Sequence, residues 1–125
     1  MGIVAQVLAV TTGIVLIIVG VLEAFRYKDQ RLYPIFLIKP EDTAAVRLWT
    51  INVGFYNIVW GLTAIIGVMI INAGQVTVGR TMVAVVCIAH AILGGVLVVS
   101  EPRLWLSAIG QALFPIIILW LMFAT

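Results

Sequence analysis

Long apolar runs separated by short polar segments dominate the pattern of this chain. A helix needs about 20 consecutive, mostly apolar residues to cross the hydrocarbon core of a bilayer. Four runs qualify: residues 2–25, 48–71, 81–100 and 104–125. Each must be helical because the hydrocarbon holds no water to satisfy a bare backbone, and none alternates in polarity like a barrel strand. The pattern predicts one domain, an all-α, polytopic transmembrane four-helix bundle.

The segments between the runs differ in length. Residues 72–80 form a short turn, and the third run has an alternative start near Val76. The turn Glu101–Arg103 is shorter still, which places the third and fourth helices side by side. Residues 26–47 are the one sizeable segment outside the bilayer. Within it, Pro40 followed by two acidic residues is typical of a helix start, so the second helix has an alternative start there.

Composition supports a membrane location. The chain is 64% hydrophobic and 10% charged, whereas about a quarter of the residues in a soluble domain are charged. Nine of the twelve charged residues lie between Glu23 and Arg47. No basic tail is present, so we expect no nucleic-acid partner. The expected surroundings are membrane lipids.

Lysine and arginine counts in short loops predict the orientation. The first and third loops together carry six of these residues, and the second loop carries only Arg80. We therefore expect a multi-pass protein of the cytoplasmic membrane, with loop 26–47 in the cytoplasm and both termini outside.

Polar side chains within the apolar runs are candidate ligand-binding residues, since such groups are costly in lipid and usually face a bundle interior or a cavity. At a rise of about 1.5 Å per residue, most of them fall in the inner half of the bilayer, with His90 near the midplane. The candidates are Glu23, Asn52, Tyr56, Asn57, His90, Ser107 and Gln111.

Small residues at helical spacing predict close helix packing. One stripe on the second helix contains Gly54, Asn57, Gly61 and Ala64, and one on the third contains Ala84, Cys87, Ala91 and Gly95. Facing each other, these stripes would make a tight pair. Beside the first stripe, another side of the second helix carries Trp49, Asn52, Tyr56 and Thr63.

Pro115 leaves the carbonyl of Gln111 without its helical partner. One interpretation is a kink stabilised by amide bonds to Asn52, Asn57 or Ser107. The other is a small polar pocket open to the cytoplasm.

Two further residues have simple interpretations. Glu23 lies three residues before Arg26 at the headgroup level, which favours a surface ion pair. For His90, a metal site would need about three or four ligands, and Glu23 is the only other strong candidate in the spans. We therefore expect a neutral His90 bonded to a neighbouring helix, with no metal and no cofactor.

The segment Asn52–Asn57, followed by Gly61 and Leu62, resembles the signature of a bacterial membrane family catalogued as domain of unknown function 1304, whose second helix carries Asn-x-Gly-x-Tyr-Asn. The acidic motif Leu22–Phe25, Gly95, and Gln111 with Pro115 also resemble features of that family. The resemblance implies a four-helix integral membrane protein without an established activity.

Two functions remain open. The first is binding or passage of a small neutral or amphiphilic molecule through the inner polar layer of Asn52, Tyr56, Asn57 and Gln111, with a homodimer expected because four helices enclose little volume. The alternative is an accessory or scaffold protein without a ligand, which pairs through its small-residue faces. We expect no enzyme, because no nucleophile and base lie together.

Overall fold

The computed structural model describes residues 1–124 and is helical in all its regular structure. Four helices are long and apolar enough to cross a membrane, which confirms the predicted all-α bundle. The helices are α1 (Ile3–Phe25), α2 (Tyr33–Phe36), α3 (Thr43–Asn72), α4 (Val76–Ser100) and α5 (Trp105–Phe123). Short 3-10 turns occupy Gln30–Leu32, Pro40–Asp42 and Pro102–Leu104.

The second and third spanning helices are longer than the apolar runs alone predicted. Helix α3 begins at Thr43, directly after the turn at Pro40, and α4 begins at Val76, the earlier of its two predicted starts. The 30 residues of α3 extend about 45 Å, roughly 15 Å more than the hydrocarbon thickness. Helix α3 is therefore longer than is needed to cross the bilayer. The predicted end of the fourth run, Thr125, lies outside the described residues.

The spanning helices run alternately up and down in a ring. Helix α1 packs against α3 and α5, and α4 packs against the same two helices. The segment 26–42 and the turn 101–104 lie at one end of the bundle, here called the basic end. The chain termini and the turn 73–75 lie at the other, here called the terminal end.

Four glycines bring α1 and α3 into backbone contact. A Cβ on Gly13 would lie 2.7 Å from the carbonyl oxygen of Gly61, and a Cβ on Gly54 would lie 2.5 Å from that of Gly20. No side chain fits at such distances, so glycine is what allows these two helices to approach. The predicted pairing of the α3 stripe with α4 is therefore wrong, because its glycines face α1.

Helix α4 uses other small residues than its predicted stripe. Gly94, not Gly95, faces α5, where an added Cβ would lie 2.6 Å from the Cβ of Ala112. Near the terminal end, Gly79 of α4 meets Gly67 of α3. One residue of helix is a rotation of about 100°, so Gly95 turns away from α5, and a Cβ added to it would meet no atom within 4 Å.

The hydrophobic core lies toward the terminal end. Both clusters of buried apolar residues in the described chain fall in this half or at the bundle centre. One contains Ala9, Val68, Val83, Cys87, Ile118 and Met122, and the other contains Leu16, Ala64 and Val86. Glu23, Asn57, Ser107 and Gln111 lie in the half of the bundle nearer the basic end.

Candidate functional site

A hydrogen bond between α1 and α3 defines the first part of the site. The amide Nδ2 of Asn57 donates to the Oε1 of Glu23 at 2.5 Å. Both residues are half-buried and one turn from the glycine contact of Gly20 with Gly54. Close helix approach thus brings a carboxylate and an amide together from positions 34 residues apart.

The predicted ion pair of Glu23 with Arg26 is wrong. Arg26 bonds the Asp29 carboxylate at 3.3 Å. Within residues 1–124, no lysine or arginine nitrogen lies within 4.0 Å of the Glu23 carboxylate. Glu23 is therefore a half-buried acid whose one bonded partner in the described chain is neutral.

Trp60 and His90 meet at the centre of the bundle. Their rings pack edge to face, with centroids 5.6 Å apart and planes at 85°. His90 is fully buried, and its Nδ1 lies 2.9 Å from the carbonyl oxygen of Val86 on its own helix. The prediction that His90 bonds a neighbouring helix is wrong. Because Nδ1 must donate to a carbonyl, Nε2 of a neutral ring is an acceptor, and it has no partner among the described atoms.

Gln111 lies at the same level as Asn57. Asn57 precedes Trp60 by one turn on α3, about 4.5 Å toward the basic end. On α4, Gly94 follows His90 by one turn in the same direction and faces Ala108 and Ala112, which flank Gln111 on α5. The contact between Trp60 and His90 thus lies about one helical turn nearer the terminal end than the amides of Asn57 and Gln111.

The face of α5 that carries Gln111 points into the bundle. Ala108, Pro115 and Ile118, which lie three, four and seven residues away, are all buried. Ser107, one turn nearer the basic end, shares this face and is half-buried like Gln111. We call Glu23, Asn57, Ser107 and Gln111 the polar layer, and Trp60 with His90 its floor.

The signature segment of α3 divides between two sides of the helix. Gly54 is buried and Asn57 half-buried, whereas Tyr56 is 64% exposed and Asn52 is also exposed. The Nδ2 of Asn52 donates to the carbonyl of Leu48 at 2.8 Å, a bond within one helix. Asn52 and Tyr56 therefore point out of the bundle, away from the polar layer.

The interhelical amide network predicted around Pro115 is not formed. Within the described residues, neither Gln111 nor Ser107 has a side-chain hydrogen bond, and Asn52 and Asn57 bond elsewhere. Pro115 is itself fully buried inside α5. Gln111 and Ser107 therefore keep all of their side-chain donors and acceptors unused within the described chain.

Two open surface grooves lie on the flanks of α4. One, of about 340 Å³, is at the terminal end beside Arg80, whose guanidinium donates to the carbonyl of Met122 at 3.0 Å. The other, of about 380 Å³, runs between α4 and α5 and is lined by Gly94, Gly95 and Trp105 among others. The second groove is almost wholly apolar and lies at the level of Gln111.

Three arginines at the basic end, Arg26, Arg31 and Arg103, are paired with acids close to them in the sequence. Arg31 bonds the Asp29 carboxylate at 2.8 Å, and this bond, with help from Arg26, holds the pKa of Asp29 well below its ordinary value. Arg103 bonds Glu101 at 2.8 Å and lowers the pKa of Glu101 in the same way. These arginines are therefore committed to acids outside the polar layer.

No group of three or more His, Cys, Asp and Glu side chains comes together in the part of the chain that the structure describes. The polar layer offers one carboxylate, two amides and one hydroxyl. Such a set can hydrogen-bond the polar head of a small molecule. Sequence reasoning missed Trp60 of the floor, although its position one turn from Asn57 was the available signal.

Comparison with known proteins gives one relationship. The model of a family described as protein of unknown function (DUF1304) matches residues 9–123. The chain belongs to the DUF1304 family. A search of curated proteins and a search of solved structures each found no match. The family description carries no activity with it, and the membrane location follows from the four long apolar helices.

Proposed function

We propose that this DUF1304 protein binds a small neutral or amphiphilic molecule in the polar layer, which the molecule enters from the cytoplasmic leaflet. The proposed location is the cytoplasmic membrane, with the basic end inside and both termini outside, as the lysine and arginine counts favour. The role is non-enzymatic.

The observation that carries the proposal is the unused hydrogen-bonding capacity of the layer. Gln111 and Ser107 point into the bundle with no side-chain bond in the described chain, and Asn57 retains its carbonyl oxygen after donating to Glu23. A polar group left unpaired within the membrane costs about 1–3 kcal/mol. A bound hydroxyl or amide head would recover this cost while its apolar tail packs along the exposed part of Trp60.

A bromine-bearing alcohol tests the proposal, because bromine quenches tryptophan fluorescence on contact. The protein retains Trp60 alone, with Trp49, Trp105 and Trp120 replaced by Phe, in phosphatidylcholine nanodiscs. The probe is bromononanol. Quenching of Trp60 should reach a plateau as the bromononanol concentration rises. In a second protein that retains only Trp120, which is 66% exposed, quenching should rise without saturation because it reports partition into lipid.

Leucine substitutions locate the binding. Gln111→Leu loses no protein hydrogen bond, so it should fold normally and raise the saturating concentration of bromononanol at least about tenfold. Asn57→Leu should also raise that concentration, although it removes the hydrogen bond to Glu23. Asn72→Leu, which likewise removes a side-chain bond, is therefore its matched control. Asn72 lies on the same helix but bonds Gln6 at the terminal end, at 2.8 Å. Unsaturated quenching of Trp60, or no effect of Gln111→Leu, would contradict the proposal.

A scaffold role is the second candidate, and the outward side of α3 favours it. Trp49 and Tyr56 are 69% and 64% exposed, and Asn52 between them is exposed as well. An asparagine carries both a donor and an acceptor, so it can pair with its copy across a two-fold axis. Asn52→Leu should then convert a homodimer to a monomer in nanodiscs, whereas Met69→Leu, exposed on the same helix, should not.

A further inference from the structure

We infer that the polar layer selects molecules that carry a primary ammonium group, with the Glu23 carboxylate as counter-ion. This inference rests on the proposed function and narrows its ligand to one chemical class. The charge distribution around the layer and the number of free acceptors within it carry the argument.

Glu23 has capacity left for a ligand. Its Oε1 accepts from Asn57, and its Oε2 accepts no hydrogen bond in the described chain. The one fully buried side-chain polar atom without a hydrogen bond in residues 1–124 is the Nε2 of His90. The Oε2 of Glu23 has no hydrogen bond either, so it is not fully buried. The free oxygen therefore remains accessible to a donor that enters the layer.

The protein's own cations do not neutralise this acid. Arg26, one turn away on the chain, is bonded to Asp29, and Arg103 at the same end is bonded to Glu101. A carboxylate that is partly withdrawn from water is stabilised by a partner of opposite charge. In this layer the described chain supplies only the neutral amide of Asn57, so the cation is left for the ligand to supply.

The acceptors match the donors of a primary ammonium. Such a group has three N–H donors and no acceptor, like the side chain of lysine. The layer presents the Oε2 of Glu23, the carbonyl oxygen of Asn57 and the carbonyl oxygen of Gln111, each free of a hydrogen bond from the described chain. An alcohol has a single donor and no charge, so it leaves most of this capacity unused.

Three probes with one chain length test the inference. Bromononylamine, bromononanol and bromononanoate differ only in the head group, and an alkylamine is protonated at pH 7 because its pKa is close to that of lysine, about 10.4. In the protein that retains only Trp60, quenching by the amine should saturate at a concentration at least about tenfold lower than quenching by the alcohol. The anionic probe should not saturate.

Glu23→Gln is the decisive variant because its amide oxygen can still accept from Asn57, which preserves the link between α1 and α3. The variant should bind the amine and the alcohol equally. Glu101→Gln, which removes an acid at the same end outside the layer, should leave the preference for amine unchanged. A Glu23→Gln protein that still prefers the amine would overturn the inference.

The outcomes separate this inference from the proposed function. If the alcohol saturates in the wild type and the amine has no advantage, the ammonium inference falls and the proposed function stands. If no probe saturates, both fall. Nanodiscs that contain phosphatidylethanolamine distinguish the sources of the ammonium: competition with bromononylamine assigns a lipid head group, and unchanged binding assigns a free amine.

Discussion

Replacing Gly54 with alanine tests the close contact that holds the polar layer together. The new Cβ would lie 2.5 Å from the carbonyl oxygen of Gly20 and 2.7 Å from the backbone nitrogen of Ala24. Both neighbours are backbone atoms of α1, so neither can rotate away as the tip of a side chain could. The first distance is about 0.9 Å short of the 3.4 Å at which ordinary contact begins. The helices must therefore separate locally.

The cost follows from that displacement. Overpacking of this kind typically destabilises a protein by about 1–3 kcal/mol. The separation also strains the bond between Asn57 and Glu23, one turn away. We therefore expect Gly54→Ala to lower the free energy of unfolding by about 2 kcal/mol. The assay is unfolding in mixed dodecyl maltoside and dodecyl sulfate micelles, followed by circular dichroism.

Matched controls come from two other helical glycines, Gly95 and Gly110. A Cβ added to either one would have no atom within 4 Å, so the methyl group of alanine meets open space. Their alanine variants should unfold at the same denaturant fraction as the wild type, or at a slightly higher one, because alanine favours a helix. Stability of Gly54→Ala equal to that of these controls would refute the close contact of α1 with α3.

Three further predictions concern the loop and the floor of the layer. A cysteine in place of Lys28, in a background without the native cysteine, should react with an impermeant maleimide in inside-out vesicles only; reaction in intact cells would reverse the orientation. The pKa of Asp29 is lowered by Arg31, so the ion pair stabilises the loop above the ordinary pKa of about 3.9 and is lost as the pH falls toward the lowered value. A carboxyl-carbon NMR titration of Asp29 should therefore have its midpoint below about 3.9, and an ordinary midpoint would contradict the pairing. His90→Phe keeps the ring contact with Trp60 and removes the unpaired Nε2, so the stability in the same micelle assay should hold or rise by about 1 kcal/mol, whereas a loss above about 2 kcal/mol would contradict the unpaired state.

The apolar runs were sufficient to predict four spanning helices. The physical reason is that a lipid environment requires every span to satisfy its own backbone, so length and hydropathy leave one solution. The helix ends were less certain. Residues 43–47 and 76–80, each of which ends in an arginine, continue the helices beyond the apolar runs, because helical bonding does not stop at the edge of the lipid.

Partners across the bundle could not be predicted from spacing alone. Gly54 and Gly61 predicted a close helix contact, but a stripe of small residues does not say which neighbouring helix it faces. The bond of Asn57 to Glu23 joins residues 34 positions apart, so it depends on the packing of α1 against α3. Sequence reasoning paired Glu23 with Arg26, its neighbour along the chain, whereas Arg26 bonds Asp29.

The level of a residue along its helix follows from the sequence, whereas the direction in which it points does not. Asn52, Tyr56 and Asn57 lie within about two turns of one another, and rise per residue places them near one level. A single residue rotates a helix by about 100°, so Tyr56 points outward while Asn57 next to it bonds Glu23. The angular positions of the candidates, rather than their depths, decide which of them belong to the polar layer.

The most direct test of the account is the position of bound bromononanol in crystals of the protein. Bromine gives an anomalous X-ray signal, and the head group lies at the other end of the nine-carbon chain. The account predicts a bound alcohol with its hydroxyl between Asn57 and Gln111, a single bromine peak within one chain length of them, and loss of that peak in Gln111→Leu. Bromine peaks confined to the lipid-facing surfaces, unchanged in Gln111→Leu, would contradict a binding site in the polar layer.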